Sequence, residues 1–122
     1  MRKIPLCIPH LSGMEQRYVQ NAINSNWIAP LGPDVNAFEK EIKEYVGSKG
    51  AIALSSGTAA IHMALKWVGV KEGDYVFCSS LTFAGSCNPI LYEKAIPVFI
   101  DSEPNSWNMS PQALTKAFEI YK

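Results

Sequence analysis

Apolar positions recur at helical spacing near the start of the chain. Tyr18, Val19, Ala22 and Ile23 share one face of a segment running to about Asn24, and Ser12 followed by Glu15 has the spacing of a capping box. Gly13 blurs where that helix begins. The stretch Trp27-Ile28-Ala29-Pro30-Leu31-Gly32-Pro33 then breaks the pattern into an irregular loop. Pro33 is placed to open a second helix, because a first-turn proline loses no hydrogen bond; Val35, Phe38, Ile42, Tyr45 and Val46 carry its apolar face until Gly47 ends it.

After Gly50 the pattern changes. Ala51-Ile52-Ala53-Leu54 is a short apolar run that predicts a strand, Ser55-Ser56-Gly57-Thr58 a turn, and Ala60, Ile61, Ala64, Leu65 and Val68 a helix ending at Gly69. Lys71 to Asp74 is a polar turn before a second strand, Tyr75-Val76-Phe77-Cys78. Ala84 to about Tyr92 predicts a further helix, with Pro89 tolerable only near its first turn. Ile96 to Ile100 predicts a third strand, and Ser110-Pro111 opens a last helix whose inner face is Leu114, Phe118 and Tyr121. Residues up to about 48 therefore read as a helical lead-in, and 49–122 as alternating strands and helices. Such alternation predicts a three-layer α/β architecture containing parallel strands.

Composition narrows the function classes. The 122 residues carry 11 Lys and Arg against 11 Asp and Glu, so no basic field gathers nucleic acid. No run approaches the roughly 18 apolar residues of a membrane span. Met1-Arg2-Lys3 is basic, but the segment after it is too short and proline-broken for a signal-peptide core, so the expectation is a cytoplasmic protein. Cys7, Cys78 and Cys87 lack the spacing of a zinc site or a disulfide framework and read as structural thiols. The chain stops at Lys122 straight after a helix, where an α/β sheet needs more strands to cover it, so the expected biological unit is longer.

Two segments can carry chemistry. Ser55-Ser56-Gly57-Thr58-Ala59-Ala60 lies between a strand and a helix, where unpaired N–H groups and the helix dipole favour an anion; Gly57 admits close approach and Thr58 adds a hydroxyl. A plain N-cap is the alternative. The segment has neither the lysine of a Walker loop nor the glycine pattern of a dinucleotide fold. Ser79 to Ala84 follows the next strand, and parallel strands end on one edge, which puts Thr82 and Phe83 in the same crevice as Gly57 and Thr58. Phe83 reads either as an aromatic wall for a flat phosphorylated cofactor or as a core residue. His10 and His62 have no carboxylate at a recognisable spacing and read as ordinary packing or exposed groups. Lys66 and Lys71 read as solvated.

Four phrases, Ser56-Gly57-Thr58-Ala59-Ala60-Ile61-His62, Gly69-Val70-Lys71-Glu72-Gly73-Asp74, Leu81-Thr82-Phe83-Ala84 and Pro97-Val98-Phe99-Ile100-Asp101, resemble in order and spacing the fold-type-I sugar aminotransferases of the DegT/DnrJ/EryC1/StrS family. Ser25 to Gly32 is similar to the branch acting on UDP-linked 4-keto-6-deoxy-N-acetylhexosamines of the bacillosamine type. The resemblance covers nearly the whole chain and implies the N-terminal part of the large α/β/α domain of a fold-type-I transferase. It further implies pyridoxal 5′-phosphate as cofactor, with Gly57 and Thr58 on its phosphate and Phe83 stacked on its ring. Trp27 and Ile28 would lie near the sugar; anchoring of its loop is the other reading of Trp27. The implied reaction moves an amino group, from glutamate as donor, to the keto carbon of a nucleotide-linked sugar, in a homodimer. The Schiff-base lysine is expected beyond Lys122, so no catalytic residue is assigned in this chain, which is expected to be inactive alone. A sugar dehydratase of the same family, with histidine in place of that lysine, and a non-catalytic phospholigand-binding domain are the alternatives.

Overall fold

The protein is described by a computed structural model covering residues 3–5 and 7–121; Met1, Arg2, Leu6 and Lys122 lie outside the described residues. The chain divides into two compact units, Met1–Ala53 and Leu54–Lys122.

In the first unit, helix α1 runs Glu15–Asn24 and begins two residues later than the Ser12 cap would place it. The Glu15 carboxylate folds back to accept the Ser12 N–H at 2.7 Å, the Ser12 hydroxyl at 2.8 Å and the Gly13 N–H at 2.9 Å. These donors, the Ser12 backbone foremost, hold the Glu15 carboxyl at about 2. The Ser12 hydroxyl oxygen accepts the Met14 N–H at 3.3 Å, not the Glu15 N–H that a full capping box requires, so the acidic half of the capping box is the half that forms. Helix α2 spans Pro33–Val46 with the proline in its first turn, and Gly47 closes it at φ 66°, the left-handed conformation that glycine adopts without strain. No residue of either helix is buried.

The strand expected at Ala51 to Leu54 does not form. A strand needs a neighbour to take its alternating N–H and C=O groups, and among the described residues the sheet has only two members, neither of them this segment. The Ala53 N–H donates instead to the Glu39 carboxylate at 2.8 Å.

The second unit opens with helix α3, Gly57–Trp67. Its cap Ser56 is extended, and its hydroxyl accepts the Ala59 N–H at 3.1 Å. Strand β1, Tyr75–Ser79, follows, then a 3-10 turn at Ala84–Ser86 and helix α4 at Asn88–Tyr92. The single helix expected from Ala84 to Tyr92 is thus broken in two. Pro89 has no N–H, and in a continuous helix its ring would strike the carbonyl four residues back, at Gly85. Strand β2, Ile96–Ile100, pairs parallel with β1 in the register Phe77↔Val98, and helix α5 is Pro111–Ile120 under a Ser110 cap.

Alternation along the strands separates two cores. Cys78, Ile90 and Ala95 are buried on one face with Leu65 of α3 packed on them. Val98, Ile100 and Ala117 are buried on the other, with Phe77 and Leu114 against them. Helices therefore cover both faces of the small sheet, the three-layer order expected of parallel strands. The inner face of α5 is corrected in detail: Leu114 and Ala117 enter the core, while Phe118 is 61 % exposed and lays its ring edge-on to Phe77 at 4.8 Å. Tyr121, just past the helix, meets Tyr75 at 4.8 Å.

Candidate functional site

The turn into α3 and the turn after β1 meet in the second unit. A cavity of about 320 Å³ forms there, walled by Ser56, Gly57, Thr58, Phe83, Gly85 and Ser86. Gly57 and Thr58 occupy the first turn of α3, where N–H groups have no carbonyl four residues back to bond. Nothing lies within 4 Å of the place a side chain on Gly57 would take, so the backbone there is open to a ligand. Gly85 closes the floor: a Cβ on it would stand 2.6 Å from the Thr58 hydroxyl oxygen and 2.9 Å from the Phe83 ring. Within this chain Phe83 is 82 % exposed, beside the helix terminus.

Helix-terminal N–H groups, a threonine hydroxyl and an uncovered ring on one cavity suit a ligand that joins an anionic phosphate to a flat heterocycle. Thr82 stands next door rather than in this cavity. It hydrogen-bonds Ser86 at 2.9 Å between hydroxyls and, with Cys78, lines an adjoining cavity of about 290 Å³. Burial raises the Cys78 thiol pKa, and neighbouring Cys87 adds to the effect, so Cys78 is an inert packing group.

A second constellation was hidden in the sequence. His62 Nε2 lies 2.5 Å from a carboxylate oxygen of Glu93, which also takes Lys66 Nζ at 3.3 Å. The hydrogen bond from His62, then the ammonium of Lys66, lowers the Glu93 pKa against the opposing effect of burial. Glu93 follows His62 by 31 residues, so no local spacing could have revealed the pair; Lys66 is correspondingly paired and not simply solvated. Asp101 holds a corner of the backbone: its carbonyl accepts the Ser110 N–H at 2.8 Å and its carboxylate the Ser102 N–H.

Trp27 and Ile28 belong to the first unit. Trp27 is half exposed, its ring lies against Gly32, and it borders a cavity of about 570 Å³ with Leu31, Pro33 and Asn36; Ile28 is 74 % exposed. Among the described residues no three His, Cys, Asp or Glu side chains cluster as metal ligands, and no helix is long and apolar enough to cross a membrane.

Comparison with known proteins places this geometry. The chain is 64 % identical over 99 % of its length to EpsN of Bacillus subtilis (strain 168), named as a pyridoxal phosphate-dependent aminotransferase, and covers 31 % of that protein. It is 39 % identical over 90 % of its length to a GDP-perosamine synthase of Escherichia coli O157:H7, covering 30 % of it. The solved PMP form of Spr1654 from Streptococcus pneumoniae, named as a sugar aminotransferase, superposes with a TM-score of 0.82 at 28 % identity, over 95 % of this chain and 29 % of that one. The chain thus spans about a third of the length of the curated relatives it matches. The family model for DegT/DnrJ/EryC1/StrS aminotransferases matches residues 9–121, and the chain belongs to that family, with the N-terminal α/β part of the fold-type-I architecture.

Proposed function

We propose that the protein carrying this chain is a pyridoxal phosphate-dependent aminotransferase whose acceptor is a nucleotide-linked 4-keto-6-deoxy sugar, and that this chain builds the phosphate and ring walls of the cofactor site. The observation that carries the reading is the convergence of Gly57, Thr58 and Phe83 on one cavity. The perosamine synthase among the relatives supports a sugar nucleotide as substrate class. The UDP-linked N-acetylhexosamine branch, glutamate as donor, a homodimeric assembly and a cytoplasmic location complete the proposal on the strength of the sequence resemblance.

The division of labour follows from the residues. When bound, pyridoxal phosphate supplies an electron sink for the carbon that loses or gains the amino group. The first turn of α3 binds its phosphate through the Gly57 and Thr58 N–H groups and the Thr58 hydroxyl, with the positive end of the helix dipole behind them. Phe83 covers one face of the ring and keeps water from it. Trp27 and Ile28 are proposed to border the sugar. No lysine of this chain is assigned to the cofactor: Lys66 is drawn to Glu93 and Lys71 stands in a polar turn, and the lysine that holds the cofactor is proposed to lie beyond Lys122.

Titration of the cofactor-free protein with pyridoxal phosphate, followed by absorbance, tests this. Inorganic phosphate should compete with it, and Thr58→Val should weaken it. Undiminished affinity in Thr58→Val, with no competition by phosphate, would return Ser56-Gly57-Thr58 to a plain helix cap.

A further inference from the structure

The geometry points to Glu93 as a positioning residue for the cofactor site: through His62 and Lys66 it locks the rotation of α3 that aims Thr58 into the cavity. This rests on the cofactor-site reading above and extends it to residues that do not touch the cavity.

Thr58, His62 and Lys66 follow one another at intervals of four along α3, so they form one stripe on the helix. The lower end of that stripe is the Thr58 hydroxyl in the cavity; the upper two members both reach Glu93, at 2.5 Å and 3.3 Å. Glu93 caps the C-terminal end of α4, where free carbonyls disfavour an anion, and its side chain is only 13 % exposed. A carboxylate in that setting needs its two partners, which makes the contact directional and hard to replace with water. The Tyr92 ring stands edge-on to the His62 ring with centroids 5.4 Å apart and confines the imidazole from a further side.

The opposite wall of the cavity comes from the same stretch that Glu93 ends. Phe83, Gly85 and Ser86 lead directly into α4, so Glu93 and the floor of the cavity belong to one short continuous stretch. The floor leaves little play, because Gly85 already meets the Thr58 hydroxyl closely. Side-chain atoms sit about 5 Å from a helix axis, so a rotation of about 20° would carry the Thr58 oxygen nearly 2 Å, out of hydrogen-bonding range of a bound phosphate. Within this chain α3 has no buried residue, and Leu65 is its member packed against the core, so the Glu93 contacts add to a limited apolar anchorage.

The test is a double-mutant cycle read as pyridoxal phosphate affinity, with urea unfolding run in parallel. Glu93→Ala should weaken affinity by about tenfold, the equivalent of one misaligned hydrogen bond, while the protein remains folded. Coupling is the decisive readout. If Glu93 acts by aiming Thr58, most of that loss should vanish in a Thr58→Val background, whereas an unrelated stability effect would add in full. Glu93→Gln, which keeps an acceptor for His62 but surrenders the charge facing Lys66, should fall between wild type and Glu93→Ala. It also carries the cycle if Glu93→Ala does not fold. Thr58→Val weakening the cofactor while both Glu93 variants bind as wild type would overturn the positioning role and leave the site reading intact. Full additivity of the two substitutions would overturn it as well. Unchanged binding in Thr58→Val would instead overturn the site reading itself.

Discussion

Gly85 and Thr58 meet so closely that a single carbon added to Gly85 would stand 2.6 Å from the Thr58 hydroxyl oxygen. The contact ties the first turn of α3 to the turn after β1 and sets how far apart the two walls of the cavity stand. Phosphate and ring contacts thereby fall within the span of one small ligand.

From this arrangement, Thr58→Val should lose one hydrogen bond to a charged acceptor, about 1.5–3 kcal/mol, or roughly ten- to more than a hundredfold in pyridoxal phosphate affinity. Valine keeps the shape and β-branching, so thermal stability of the cofactor-free protein should change little. Equilibrium titration and a melt of the same sample check both halves.

Phe83→Ala should behave differently from a core truncation. The ring is mostly solvent-exposed without ligand, so its removal costs the apoprotein little packing. Bound cofactor should lose an apolar wall worth on the order of 1–3 kcal/mol and wash out sooner on dialysis, which absorbance of retained cofactor would record. Cooperative unfolding of Phe83→Ala under conditions where cofactor-free wild type stays folded would show the residue to be structural.

Ile90 is the reference case for burial. It is 2 % exposed and lies between Cys78 and Ala95 on the α4 side of the sheet. Ile90→Ala should destabilise by about 2–5 kcal/mol through lost burial and the cavity left behind, seen as a lower urea midpoint with unchanged slope.

Glu93 gives a pH signature. Its carboxyl pKa is lowered in the folded protein, by His62 first and Lys66 second, so the unfolded chain binds the proton more tightly. Its stabilising contribution is therefore complete above the unfolded value of about 4.3 and is lost as pH falls through the lower folded value. Glu15 and Glu103 are shifted the same way, Glu103 by its Ser106 partner foremost, so their contributions also fall in acid. Melting wild type beside Glu93→Gln between pH 7 and pH 3 isolates the one group: the gap should narrow steadily below about pH 4.3. A gap that stays constant across the range would remove Glu93 from the account of acid sensitivity.

Local chemistry was enough to read α2 between Pro33 and Gly47, the caps Ser56 and Ser110, and the two paired strands, because each depends on residues a few positions apart. The same range of evidence placed Gly57, Thr58 and Phe83 after successive elements, since parallel strands end on one edge. Two local details differed: the Glu15 carboxylate folds back on the Ser12 and Gly13 N–H groups and the helix starts at Glu15, and the helix after Phe83 broke where Pro89 would have met Gly85. The rest of what lay beyond it is non-local. Ala51 to Leu54 has the composition of a strand but no partner strand among the described residues, a condition no apolar run can state about its surroundings. Phe83 has the residue type of a core yet is exposed in this chain, and His62 acquires its carboxylate from 31 residues away. Burial and pairing are properties of packed surfaces: they arise when α3 and α4 settle on the same face of the sheet, and the order of residues along either helix leaves them open.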